Sequence, residues 1–205
     1  MQAVKTKNQC IVGLTGGIAT GKSTFSFIFK QLGARVVCCD ELAHRALRKN
    51  TGTYKEIVRV FGCTILNDAK QIDRRKLATI VFKNKAERTK LEKIIHPFVF
   101  DKLFDAIKKT EGIIILDVPL LFETHFEQNV DQTIVVWCTK KEQVRRLCRR
   151  DGLTQTAADA RIRTQMPLST KKRKADHLID NTDLETAVKM AKVVWKKIQS
   201  ISKKK

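Results

Sequence analysis

The 205-residue chain predicts an α/β fold of three layers, in which helices cover both faces of a five-stranded parallel sheet. Three observations carry that prediction. Apolar strand-like pieces alternate with helical periodicity, a glycine-rich loop joins the first strand to the first helix, and the conspicuous polar residues follow strand ends. The strand pieces are CIVGLT (10–15), ARVVCC (34–39), GIIILD (112–117), QTIVVWC (132–138) and HLID (177–180). Helical patterns separate them, so neighbouring strands are joined by crossovers and run parallel.

The helices have readable ends. The first spans 23–32 and stops at Gly33, a residue suited to the position just past a helix. Thr139 with Glu142, and Thr182 with Glu185, read as capping boxes opening two later helices. His96 before Pro97 reads as the cap of a helix with proline in its first turn. The stretch from about 50 to 110 breaks the alternation, being almost all helical in pattern without a strand for the sheet. The chain therefore reads as one domain over 1–205: a nucleotide-binding core at about 8–48 and 111–205, a helical insertion at about 50–110, and an arginine-bearing lid at about 145–175.

Composition narrows the class. With 42% apolar and 30% charged residues the chain has a globular balance, and no apolar run approaches the ~20 residues needed to cross a bilayer. The opening MQAVKTKNQC lacks an apolar stretch of the secretory kind, which points to a cytoplasmic protein. Six cysteines show no C-x-x-C pair and read as small buried apolar residues; neither they nor the four histidines form a metal-ligand pattern. The net charge of +20 is concentrated, since Arg145 to Lys174 holds ten basic residues against Asp151 and Asp159. Such a charge implies anionic partners, and nonspecific adhesion to nucleic acid at low salt is expected as a side property. The final SKKK reads as a solvated tail.

The stretch GLTGGIATGKST, residues 13–24, contains G-x-x-x-x-G-K-[ST] between a strand and a helix, the phosphate-binding loop of P-loop NTPase-type folds. Its glycines let backbone N–H groups close around phosphate oxygens at a helix N-terminus. Gly17, Ala19, Thr20, Gly21, Lys22, Ser23 and Thr24 are thus the candidate nucleotide-binding residues, with Lys22 on the β and γ phosphates and Ser23 completing the shell of a Mg2+ ion. A guanine-reading N-K-x-D is absent, the nearest string being NKAE at 84–87 in the helical stretch. IIILDVP offers Asp117 without the adjacent glutamate a motor would use on water, which leaves a small kinase.

A kinase must present an acceptor hydroxyl and shield charge on the transferring phosphoryl group. Asp40, after the second strand, is the candidate for the hydroxyl, and a helix cap is the alternative reading of the same residue. In VRRLCRR, Arg145 with Arg149 and Arg146 with Arg150 are i, i+4 pairs, giving one helix edge four guanidiniums; the alternative is a solvated basic face. Asn181, after the fifth strand, falls at the same end of the sheet as the loop.

Taken together, LTGGIATGKST, DRRKLATIVF, LEKIIHPFV, LDVPLLFE, VRRLCRRDGLT, RIRTQM and ADHLIDN resemble the dephospho-coenzyme A kinase family over nearly the whole chain. The resemblance implies ATP-dependent phosphorylation of the ribose 3′-hydroxyl of dephospho-coenzyme A, the last step of coenzyme A synthesis. It implies further that Asp40 is the catalytic carboxylate, that Arg146 and Arg150 belong to the lid, and that the coenzyme body lies against His96 and the Pro119-Leu120-Leu121 loop. The family usually writes D-A-D where this chain has Cys38-Cys39-Asp40, so the first carboxylate is missing. The alternatives are another nucleoside or nucleotide kinase of this sheet class, separated by the acceptor, and an ATP-dependent nucleic-acid-binding factor. One Tyr and two Trp give that last reading few stacking platforms. Oligomeric state is not legible.

Overall fold

The computed structural model describes residues 9–203; the N-terminal stretch and the last two lysines of the SKKK tail lie outside the described residues. The chain forms two compact units, one built up to Val37 and again from Ala106, the other from Cys38–Asp105. In chain order the elements are β1 (Gln9–Gly16), α1 (Lys22–Gln31), β2 (Arg35–Cys38), α2 (Cys39–Ala46), α3 (Gly52–Phe61), α4 (Arg74–Lys83) and α5 (Lys85–Lys108). There follow β3 (Gly112–Asp117), β4 (Gln132–Trp137), α6 (Lys140–Asp151), α7 (Gln155–Ile162), α8 (Leu168–Lys174), β5 (His177–Asp180) and α9 (Leu184–Ser202).

The first unit is built on a five-stranded sheet of order β2-β3-β1-β4-β5. β1 pairs in parallel with β3, Ile11 opposite Ile114, and with β4, Leu14 opposite Ile134, while β4 pairs in parallel with β5. All eight residues of β1 are buried, which is why QCIVGLTG shows no alternation: a central strand covered on both faces has no solvent side. On one face Cys10, Val12 and Leu14 pack with Phe25 and Phe29 of α1 and with Ala187, Ala191, Val194, Trp195 and Ile198 of α9. The α9 spacing is the apolar stripe of a helix lying on a sheet.

Two of the four helix ends read from the sequence hold. Thr139 Oγ1 accepts from Glu142 N to open α6, and Gly33 has φ +99° just past α1, a left-handed conformation open to glycine. The last helix differs: Asp183, not Thr182, caps α9 by accepting from Thr186 N at 2.9 Å. The Thr182 hydroxyl is instead donated to Asp180 Oδ1 at 2.6 Å. A carboxylate one position later is the stronger acceptor for the helix N–H groups. The cysteine expectation holds for Cys10, Cys39 and Cys138 but not for Cys63, which is exposed.

In the second unit Ile57, Ile65, Ile72, Leu77 and Val81 form a buried core, with Leu91, Ile94 and Ile95 of α5 packed against it. The unit begins at Cys38, so it takes in α2 as well as the helices expected from about residue 50. Thr51 caps α3 and Asp73 caps α4. Pro97 does not open a helix after a His96 cap, because α5 runs unbroken through it. An interior proline forfeits a backbone hydrogen bond and costs ~3 kcal/mol or more. Apolar residues packed on both sides, Leu91, Ile94 and Ile95 before it and Val99 and Leu103 after it, outweigh that cost.

Candidate active site

The connections from β1 lead first to β2 and β3 on one side of it and later to β4 and β5 on the other. The reversal opens a crevice beyond the carboxyl end of β1, the place where open α/β sheets bind ligands. The glycine-rich loop enters it and ends at Gly21, the left-handed residue (φ +86°) from which α1 starts. Glycine is required at three points. A Cβ on Gly16 would lie 2.6 Å from the Val136 carbonyl oxygen, one on Gly17 2.7 Å from Gln143 Nε2, and one on Gly21 2.3 Å from Asn181 Nδ2. Thr20 is fully buried and shapes the loop, its hydroxyl donating to the Gly17 carbonyl at 2.9 Å.

A set of amide and guanidinium groups grips the loop from behind. Asn181 Nδ2 donates to the Thr20 carbonyl at 2.8 Å, and Arg146 donates to the same carbonyl at 3.3 Å and to the Asn181 carbonyl at 2.7 Å. Asn181 is buried, and its Oδ1 has no hydrogen-bond partner among the described residues. Gly21→Ala is expected to lower the melting temperature by about 5–10 °C, combining left-handed strain with loss of the Asn181 bond. Gly33→Ala, where a Cβ meets nothing, carries only the strain and should fall by less. Equal shifts in a thermal melt would mean that Asn181 does not crowd the loop.

Lys22, the first residue of α1, ion-pairs with Asp117 at the end of β3, and Ser26 Oγ donates to the other carboxylate oxygen. Asp117 is 2% exposed. Ser23 and Thr24 are exposed at the start of α1. Among the described residues no group of three or more His, Cys, Asp or Glu could hold a metal ion.

The four-guanidinium edge expected on α6 is divided between acids. Arg145 and Arg146 both bond Glu142, whereas Arg150 bonds Asp151, which also takes Arg161 at 2.8 Å. Acids three and four residues away, or next in chain, claim these forks. Arg150 remains 60% exposed, against 22% for Arg146. Hydrogen bonding from Arg145, then from Arg146, pulls the Glu142 carboxyl down to about 2. A depressed carboxyl stabilises the fold fully above its unfolded value near 4.5 and loses that contribution as pH falls toward about 2. Glu142→Gln should therefore be less stable than wild type near neutrality, with the gap closing as pH falls from 4.5 to 2. Thermal melts across that range check it, and a gap unchanged at the acid end would contradict it.

Sequence reasoning missed three residues. Lys171 of α8 is fully buried, its ammonium donating to the Pro119 carbonyl at 2.9 Å and the Gly16 carbonyl at 3.4 Å and pairing with Glu123 at 2.9 Å. Burial pushes its pKa below the ordinary lysine value, Glu123 opposing and the nearby Lys22 charge adding to the fall. Inside the run KKRK it looks like its exposed or half-buried neighbours. One of these, Lys172, sets its ammonium 3.2 Å from the centre of the Trp137 ring. Gln143, only 3% exposed, stands beside Val144 and Leu147 on the buried side of α6, the one available signal being a polar residue on an apolar face. Gln165 carried no signal.

The expected substrate residues divide. Pro119 and Leu120 are half-buried, and the Pro119 carbonyl also accepts from Thr15 Oγ1 at 3.0 Å. Leu121 is not free to meet a ligand: it is fully buried and packs where β1 has Gly13. In the helical unit α2 begins at Cys39, so Asp40 is an exposed residue of the first turn and not the cap, which is Cys38. His96 is half-buried with its ring 5.6 Å from Phe100; burial lowers its pKa, Glu92 opposing.

The sequence model of dephospho-CoA kinase matches residues 10–186. The chain belongs to the dephospho-CoA kinase family. A dephospho-CoA kinase of Listeria innocua is 42% identical over 176 residues, which is 84% of this chain and 88% of that one. Among solved structures, TT1252 from Thermus thermophilus superposes with a TM-score of 0.80 at 34% identity, covering 92% of this chain and 97% of that one. A dephospho-CoA kinase from Campylobacter jejuni gives 0.63 at 30% identity over 93% and 98%. The family match spans the loop, both units and the Asn181 segment. No helix among the described residues is long and apolar enough to cross a membrane.

Proposed function

We propose that the chain transfers the γ-phosphoryl group of ATP to the 3′-hydroxyl of dephospho-coenzyme A, giving coenzyme A and ADP. The observation that carries this reading is Lys22 held by Asp117 at the mouth of a glycine loop, in a chain of this family. Catalysis of this transfer is positioning plus shielding of charge. The loop from Gly17 to Thr24 binds the phosphates, and Lys22 exchanges its carboxylate partner for phosphate oxygens. The exposed Ser23 hydroxyl would be the ligand the chain adds to a magnesium ion bound with ATP, which would neutralise phosphate charge there. Asn181, whose buried Oδ1 has no hydrogen-bond partner among the described residues, offers an acceptor to an amino group of the base. Arg146 anchors α6 to the loop, and Arg150, one turn on and exposed, shields the transferring group. Asp40, two residues past β2, orients the acceptor hydroxyl and takes its proton, while His96, Pro119 and Leu120 receive the coenzyme body.

The test is direct. The protein is incubated with Mg·ATP and dephospho-coenzyme A, or a panel of nucleosides and nucleotides, and the phosphorylated product is identified by mass. Product from a nucleoside and none from dephospho-coenzyme A would overturn the acceptor assignment.

A further inference from the structure

Resting on that reading, the structure assigns Gln165 and Gln143 as positioning residues: together they clamp the Ile18 peptide and thereby hold the phosphate loop in its nucleotide-binding shape. Both polar atoms of Ile18 are taken by side-chain amides from distant parts of the chain. Its N–H donates to Gln165 Oε1 at 3.1 Å, and its carbonyl accepts from Gln143 Nε2 at 2.6 Å. The apolar side chain is anchored as well, since Ile18 and Ala19 pack against Val144, Leu147 and Ala158 of α6 and α7. The amides stand on the wall of a cavity of about 430 Å³ that Gly17, Ile18, Met166 and Leu168 also line.

The next residue explains the need. Ala19 has φ +60°, in the left-handed region that non-glycine residues avoid. The loop has spent its glycines at Gly16, Gly17 and Gly21, where a Cβ would collide, so Ala19 turns left-handed with a side chain attached. That conformation persists only where the surroundings over-determine it. The Ile18 peptide, one bond upstream, is the handle by which the two glutamines do so. Gly17 belongs to the same device, because any larger residue would push Gln143 off the Ile18 carbonyl. Through Gln143 the clamp also ties the loop to α6, the helix carrying Arg146 and Arg150, so loop shape and guanidinium placement are set together.

The experiment measures Mg·ATP affinity by calorimetry, with no acceptor present, for wild type, Gln165→Met, Ala19→Gly and the double variant. Gln165 is half-buried and its replacement keeps side-chain length, so the fold survives; thermal melts confirm it. Loss of one hydrogen bond at the clamp should weaken ATP binding by about five- to tenfold. Ala19→Gly removes the Cβ that makes the left-handed turn costly, so in the double variant affinity should return to within about twofold of wild type. A purely structural glutamine would not be rescued by a glycine at the residue after its contact. Wild-type affinity in Gln165→Met, or a loss that Ala19→Gly leaves untouched, overturns the clamp. Failure of the wild-type chain to bind Mg·ATP would overturn the kinase reading instead, so the two failures are distinguishable.

Discussion

Lys22→Ala is expected to lower kcat by on the order of 10³ or more, because a donor aimed at charge on the transferring phosphoryl group is lost. The loss should also be visible without substrate. Asp117 is 2% exposed, and the substitution leaves its carboxylate with only the Ser26 hydroxyl as a described partner. Breaking a buried pair from one side costs about 3–5 kcal/mol, so the variant should fold but melt well below wild type. Adding Asp117→Asn removes the stranded charge and should recover much of that stability while leaving turnover down. Steady-state rates and thermal melts on the three proteins separate the effects. Turnover in Lys22→Ala within tenfold of wild type would take the loop lysine out of the mechanism.

Asp40→Asn carries the second large expectation. General-base contributions are typically ~10² to 10⁴ in rate, and the substitution keeps size while removing the base. The capping alternative has lost its footing, since α2 starts one residue earlier and Cys38 occupies the cap. What remains structurally is an exposed acid in a first helical turn, worth ~0.3–1 kcal/mol against the helix dipole. The expected result is a kcat at least about a hundredfold lower, an unchanged affinity for Mg·ATP and a melting temperature nearly that of wild type. Normal turnover would leave the segment after β2 without a base, because Cys38 already replaces the other acid of the family pattern.

The sheet was legible because its strands are short apolar pieces separated by helical periodicity, and the loop because its glycines, lysine and serine have fixed spacing with a mechanical reason. Pro97 misled because a local rule about helix starts competes with packing on both sides of it, and packing is a property of the folded unit. Asp183 displaced Thr182 for a similarly local reason: two adequate caps stand side by side, and their relative strength as acceptors decides. Gln143, Gln165 and Lys171 act on backbone carbonyls and N–H groups more than a hundred positions away in the chain. Nothing in a string of residues marks which backbone group a side chain will reach. The basic run from Arg145 was legible as charge but not as chemistry, because Glu142 and Asp151 decide which guanidiniums are engaged.

The two tryptophans occupy unlike surroundings. Trp195 is packed in the apolar layer between α1 and α9, while Trp137, at the end of β4, lies under the Lys172 ammonium and lends its carbonyl to Asn181 N at 2.7 Å. Trp195→Phe would leave a chain with a single indole, at the end of β4 with the Lys172 ammonium against its face. Its emission would be sensitive to the Lys172 contact, giving an optical reading of how α8 packs on the end of β4.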